Sequence, residues 1–176
     1  MIDPFLVQSG KICLRLGLTA NMLTVTGFVI GLCCGALICA EAYSWALAAL
    51  LLSRICDGLD GAVARLTQPT DFGGYLDIVC DFLFYAFVPF CFAFSHPEQA
   101  AAAAFLMLSF VGTGTSFLAY AILDAKQKSS NVRQAKRAKS FAYLGGLTEG
   151  SETIAVFALI LLYPAYFTAF AVVFGS

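Results

Sequence analysis

The sequence predicts an all-α fold, a polytopic membrane helical bundle in one domain spanning residues 1–176. Three observations carry that expectation. The chain is 60% hydrophobic and only 12% charged, against about 25% charged residues in soluble domains. Its mean hydropathy is +0.85. Its apolar residues fall in successive stretches near the ~20 residues that a helix needs to cross a bilayer.

The elements follow in order. Residues 2–18 are too polar to span. Gln8, Lys11 and Arg15 recur at helical spacing against Phe5, Ile12 and Leu16, the pattern of an amphipathic helix lying on the membrane surface. A first span is expected from about Asn21 to Ala40. Glu41, Tyr43 and Trp45 mark its far end, and a second span descends from there to Arg65. A third, rich in aromatic residues, runs from about Gly73 to Phe94. A fourth covers Ala100 to Leu123, with Ser109, Gly112, Gly114 and Ser116 permitting close helix contact. Residues 124–140 read as a polar, basic loop. A fifth span runs from about Gly150 to Tyr163, and residues 164–176 form a shortened last span.

The basic residues set the orientation. Lys11, Arg15, Arg54, Arg65, Lys126, Lys128, Arg133, Lys136, Arg137 and Lys139 are all ten, and none falls in the turns near residues 41–44, 95–99 and 163–165. By the positive-inside rule the N-terminus and the second span's lower end face the cytoplasm. The expected location is the inner (cytoplasmic) membrane of a bacterium, with the site on the cytoplasmic side. A net charge of −1 argues against nucleic acid as a partner. Seven cysteines with no CxxC pair, and a single histidine, argue against zinc. They read as packing residues. Met1 is followed by Asp3 and Pro4 with no apolar run, so no cleavable signal peptide is expected. His96, in an outward turn, reads as simply exposed.

Chemistry concentrates in residues 57–81, DGLDGAVARLTQPTDFGGYLDIVCD. Ionisable side chains within membrane spans are costly and face a bundle interior or cavity, which makes them functional candidates. Asp57 and Asp60 share a helix face with Gly61 and Ala64, and Asp77 and Asp81 stack one turn apart on the next helix. Four carboxylates this close repel one another unless a cation intervenes. The four are candidate ligands for divalent metal, Mg²⁺ or Mn²⁺ by the hardness of their oxygens. Two facing acidic pairs suit two ions about 3.5–4 Å apart, the arrangement that clamps an in-line phosphoryl displacement. Gly61, Ala64, Gly73 and Gly74 leave room for a bulky ligand, and Arg65 suits a phosphate.

This stretch resembles the signature of the CDP-alcohol phosphotransferase (CDP-alcohol phosphatidyltransferase) family. The pattern is Asp, two residues, Asp-Gly, two residues, Ala-Arg, a short spacer, Gly, three residues, Asp, three residues, Asp. Asp57, Asp60, Gly61, Ala64, Arg65, Gly73, Asp77 and Asp81 meet every fixed position. The resemblance implies a six-span bundle behind a surface helix, here with the last span short. It implies transfer of a phosphatidyl or other phospho-alcohol group from a CDP-alcohol to an acceptor hydroxyl, with release of CMP, in phospholipid synthesis. CDP-diacylglycerol is the expected donor. Asp57, Asp60 and Asp77 would ligate the metals, with Asp81 adjoining them as general base. Gly61, Ala64, Arg65 and Gly73 would surround the cytidine diphosphate. The implied partners are the donor, a small hydroxyl acceptor that some members bind phosphorylated, the bilayer and a second copy of the chain through the third and fourth spans.

Other features carry weaker expectations. Asn21 and Thr24 sit where the family has a Pro-Asn segment, with Ala20 replacing the proline, and Asn21 reads equally as a helix N-cap. Arg137 and Lys139 are candidates for an acceptor phosphate. Glu149 and Glu152 read first as acids at a helix N-terminus, and alternatively as substrate selectors. Two competing functions are an ion-coupled transporter using the aspartates and a non-catalytic scaffold of the same fold.

Overall fold

The computed structural model describes residues 4–130 and 141–176, and among them every regular element is helical. Seven α-helices follow in order: α1 (Pro4–Arg15), α2 (Ala20–Cys39), α3 (Tyr43–Leu66), α4 (Asp71–Ser95), α5 (Ala100–Ser130), α6 (Phe141–Leu162) and α7 (Phe167–Gly175). Helices α2, α4 and the apolar part of α5 are long and apolar enough to cross a membrane, and the bent pair α6–α7 would make a fourth such unit. At 24 residues, α3 is about 36 Å long, enough to span, but Arg54, Asp57, Asp60 and Arg65 interrupt its apolar surface.

Local chemistry explains the boundaries. Thr19 caps α2 by accepting the Met22 N–H at 3.3 Å, so Asn21 is not the cap and its side chain is left for other work. Glu41 adopts φ 56°, a left-handed conformation uncommon outside glycine. It lets the chain reverse between Cys39 and Tyr43. Thr70 caps α4 by accepting the Gly73 N–H at 3.0 Å, which starts that helix just ahead of its acidic pair.

Several expected boundaries move. Helix α5 continues to Ser130, so residues 124–130 are helix rather than loop. The sequence Leu123–Ser130 contains no proline or glycine to stop it. Helix α6 begins at Phe141, nine residues before the expected Gly150. The shortened last span is a break: Pro164 opens a 3-10 turn, and the axes of residues 150–162 and 164–175 differ by 118°. Helix α7 then lies along α5, with Gly175 against Phe105 and Ser109.

Packing gathers in two places. The main core joins Phe84, Val88 and Phe92 of α4 with Leu106 and Phe110 of α5, Phe157 of α6 and Phe167 of α7. Phe92 and Phe167 stack with centroids 4.6 Å apart. Close approach of α2 to its neighbours depends on a glycine stripe: Gly27 abuts Ser53 and Cys56 of α3, while Gly31 abuts Phe84 of α4. On α5 only part of the small-residue stripe is used. Gly114 faces Phe82, and Gly112 meets open space. A second cluster, Cys13, Leu23 and Val63, seats α1 against the lower end of α3. There α1 turns Gly10 and Cys13 inward, while Ile12 and the following Leu16 are exposed. His96 is half-buried rather than simply exposed, with Nε2 2.7 Å from the Tyr43 hydroxyl and Nδ1 3.2 Å from Glu98.

Candidate active site

The site forms where the second half of α3 faces the first half of α4. Carboxylate oxygens of Asp57, Asp77 and Asp81 lie within 4.8 Å of one another, all three half-buried. Asp60 stands beside this trio. It is 6% exposed, and its Oδ2 accepts a 2.5 Å hydrogen bond from the Thr24 hydroxyl of α2.

One cation already touches the cluster, and sequence reasoning passed over it as a topology marker. Arg54 donates from Nη1 to Asp81 Oδ1 at 2.8 Å, and the same nitrogen is 3.6 Å from Asp57 Oδ1. Its Nη2 donates to Ser53 Oγ at 3.2 Å, and its guanidinium carbon sits 4.9 Å from the Phe84 ring centroid, a cation–π contact. The signal was present. An arginine directly after the apolar run ALAALLLS, one turn before an aspartate, is an intramembrane charge in need of a partner.

Two cavities flank the acidic cluster. A polar cleft of about 310 Å³ is lined by Asn21, Thr24, Asp60, Gly61, Gly73 and Asp77, among others. A second cavity of about 230 Å³ is lined by Asp77, Asp81, Phe82, Tyr85, Phe110 and Phe117, with Gly150 and Thr153 at its α6 side. Asp77 belongs to both. A diphosphate in the cleft and a hydroxyl in the second cavity would therefore meet over the carboxylates.

The residues expected from the sequence are distributed as follows. Gly61, Ala64 and Gly73 line the polar cleft. Arg65 is exposed and lies against Gly61, its Nη1 3.2 Å from where a Cβ at that glycine would stand. Glu152 is exposed. The side chains of Lys128, Arg133, Lys136, Arg137, Lys139 and Glu149 lie outside the described residues. All seven cysteines are free thiols, with Cys13, Cys34 and Cys91 buried.

Divalent metal fits this arrangement. The donors are hard carboxylate oxygens, and the Arg54 guanidinium touches only Asp57 and Asp81 of the four carboxyl groups, leaving the cluster undercompensated.

The chain matches the family described as CDP-alcohol phosphatidyltransferase over residues 17–175. It is 49% identical to the inner membrane protein YnjF of Escherichia coli (strain K12) over 176 residues, 99% of this chain and 84% of that protein. Shorter matches reach two archaetidylinositol phosphate synthases. One, from Methanothermobacter thermautotrophicus, is 40% identical over 38% of this chain and 35% of its own length. The other, from Pyrococcus horikoshii, is 38% identical over 43% and 41% respectively.

Proposed function

The chain belongs to the CDP-alcohol phosphatidyltransferase family, phosphotransferases for substituted phosphate groups, and from that premise we propose how its own residues carry the reaction. The donor is a CDP-alcohol, in our reading CDP-diacylglycerol, and the acceptor is a small alcohol. The observation that carries this reading is the trio Asp57, Asp77 and Asp81, gathered within 4.8 Å between a polar cleft and an aromatic-lined cavity.

In this reading the cleft holds the cytidine diphosphate. Gly61 and Gly73 leave its floor open, and Arg65 meets a phosphate from the rim. Asp57, Asp60 and Asp77 would hold the metal, with Asp81 adjoining them. Bound divalent metal would offset the diphosphate charge and stabilise CMP as it leaves. The acceptor enters the second cavity. Its hydroxyl oxygen forms a bond to the phosphorus that bears the donor alcohol, and the bond from that phosphorus to the oxygen bridging to CMP breaks. CMP departs with the bridging oxygen. Asp81 takes the hydroxyl proton and passes it to water. The distribution of basic residues favours a cytoplasmic site and N-terminus, and α4 with α5 is the proposed homodimer face.

The test is CMP release by purified protein in detergent with CDP-diacylglycerol, Mg²⁺ and a panel of acceptor alcohols. Metal-dependent release with one acceptor supports the reading. Lack of both release and metal-dependent CDP binding overturns it in favour of a non-catalytic scaffold.

A further inference from the structure

The cavity on the α5 and α6 side of the acidic cluster differs from the polar cleft in what lines it. Asp77, Asp81 and Tyr85 stand on successive turns of one face of α4, so the cavity leads from two carboxylates to a phenol ring. Phe82 meets that ring edge-on at 6.1 Å, and Phe110 of α5 lies 5.8 Å from it, tilted by 36°. Phe117, two turns further along α5, adds a fourth ring to the lining and is 36% exposed. These residues bound about 230 Å³ of open space, whereas core rings such as Phe84 and Phe157 are buried. The Tyr85 hydroxyl reaches toward α6, 3.4 Å from where a Cβ at Gly150 would stand. Among the described residues, both charged groups that line this cavity are acidic. Arg54 touches Asp81 but lines a separate small cavity toward α2, with Thr24 and Ser53.

We propose that the acceptor is an alcohol bearing an ammonium group, its cation held among Phe82, Tyr85, Phe110 and Phe117 and its hydroxyl turned toward Asp81. This rests on the reading of this cavity as the acceptor site given above. Aromatic faces carry partial negative charge and attract an ammonium, most strongly where water is excluded. The carboxylates at the cavity floor act in the same direction. Bound metal would offset those carboxylates, yet the donor's diphosphate brings anionic charge to the same place, so a phosphorylated acceptor would be repelled there. Asp81 and Tyr85 are one turn, about 6 Å, apart along α4, a separation that a hydroxyl and an ammonium on one short carbon chain can bridge. In the transfer the acceptor oxygen bonds to phosphorus and CMP leaves with the bridging oxygen. The hydroxyl proton goes to Asp81, and the ammonium is unchanged.

The experiment uses the full chain in detergent with Mg²⁺ and CMP and no donor lipid, and binding is followed by ligand-observed NMR. Choline is compared with dimethylbutanol, its neutral isostere with carbon in place of nitrogen, and ethanolamine with propanol. At least one of the two amines binds about tenfold or more tighter than its isostere. Phe117→Leu, a change at the exposed edge of the lining, lowers that preference by at least about threefold. Equal binding of amine and isostere in both pairs overturns the proposal in favour of an apolar occupant such as an acyl chain of the donor. Tighter binding of glycerol phosphate than of either amine overturns it in favour of a phosphorylated acceptor, and binding of none of these overturns it as well. An unchanged preference in Phe117→Leu also overturns it. If that variant does not fold, Phe82→Leu takes its place. CMP release from CDP-diacylglycerol is measured in parallel. Charge-selective binding without CMP release from any acceptor would sink the transferase reading, and the acceptor role with it. Release with a neutral or phosphorylated acceptor and with neither amine overturns the proposal alone.

Discussion

Thr24 of α2 donates its hydroxyl to Asp60 of α3 across 2.5 Å, and both residues are buried. This contact joins the first span to the acidic helix and orients one carboxylate toward the cleft that Asp77 also lines. Thr24→Val keeps the shape and removes the donor. It should cost about 1–2 kcal/mol in thermal unfolding and weaken divalent-metal binding, whereas Thr24→Ser should keep both close to wild type.

Asp81→Asn should lower CMP release by about 10²–10⁴-fold, the usual worth of a positioned base. Metal-dependent CDP binding, followed by calorimetry, should fall far less. Asp57→Asn and Asp77→Asn should instead abolish metal-dependent CDP binding.

Gly73 forms the cleft floor, where an added Cβ would stand 3.0 Å from Thr70 Oγ1 and 3.1 Å from Asn21 Oδ1. Gly73→Val should therefore raise KM for the CDP-alcohol several-fold with less effect on kcat, because the intrusion meets bound ligand in ground and transition states alike. Steady-state kinetics on the donor separates the two parameters.

Gly31 sets the distance between α2 and α4. A Cβ there would lie 2.8 Å from Phe84 Cδ2, inside contact distance. Gly31→Ala should destabilise the bundle by about 1–3 kcal/mol through overpacking. It should also lower turnover, since Phe84 supports Arg54. Thermal unfolding and CMP release measured on the same preparation check both.

Tyr43 and His96 join α3 to the end of α4, away from the acidic cluster. Tyr43→Phe removes that hydrogen bond and keeps the stacking on Phe92. It should cost about 1 kcal/mol or less and leave CMP release unchanged.

Much was legible in the linear pattern. The spans of α2 and α4 follow from runs of apolar residues, because a helix in lipid must satisfy its own backbone and show apolar side chains outward. The Asp57–Asp81 stretch announced its acidic cluster because helical periodicity alone places Asp57 with Asp60 and Asp77 with Asp81. The extent of α5 and α6 was misjudged because polarity was taken as loop, although Asp, Lys, Gln and Ala are compatible with helix. The inward face of α1 was not legible, because small residues, Gly10 and Cys13, seat it on α3, and spacing of large apolar residues does not register them.

The sequence by itself determined the all-helical membrane fold, the family and the four carboxylates, since each depends on composition or on spacing within one or two turns. Only the tertiary structure decided which carboxylates meet, that Thr24 holds Asp60, that Arg54 holds Asp81, and that the chain bends at Pro164. Those relations lie between residues on different helices, 20 or more positions apart in the chain, or in the angle at one turn. Interhelix packing fixes them, and in this chain that packing turns on where glycine lets two helices close.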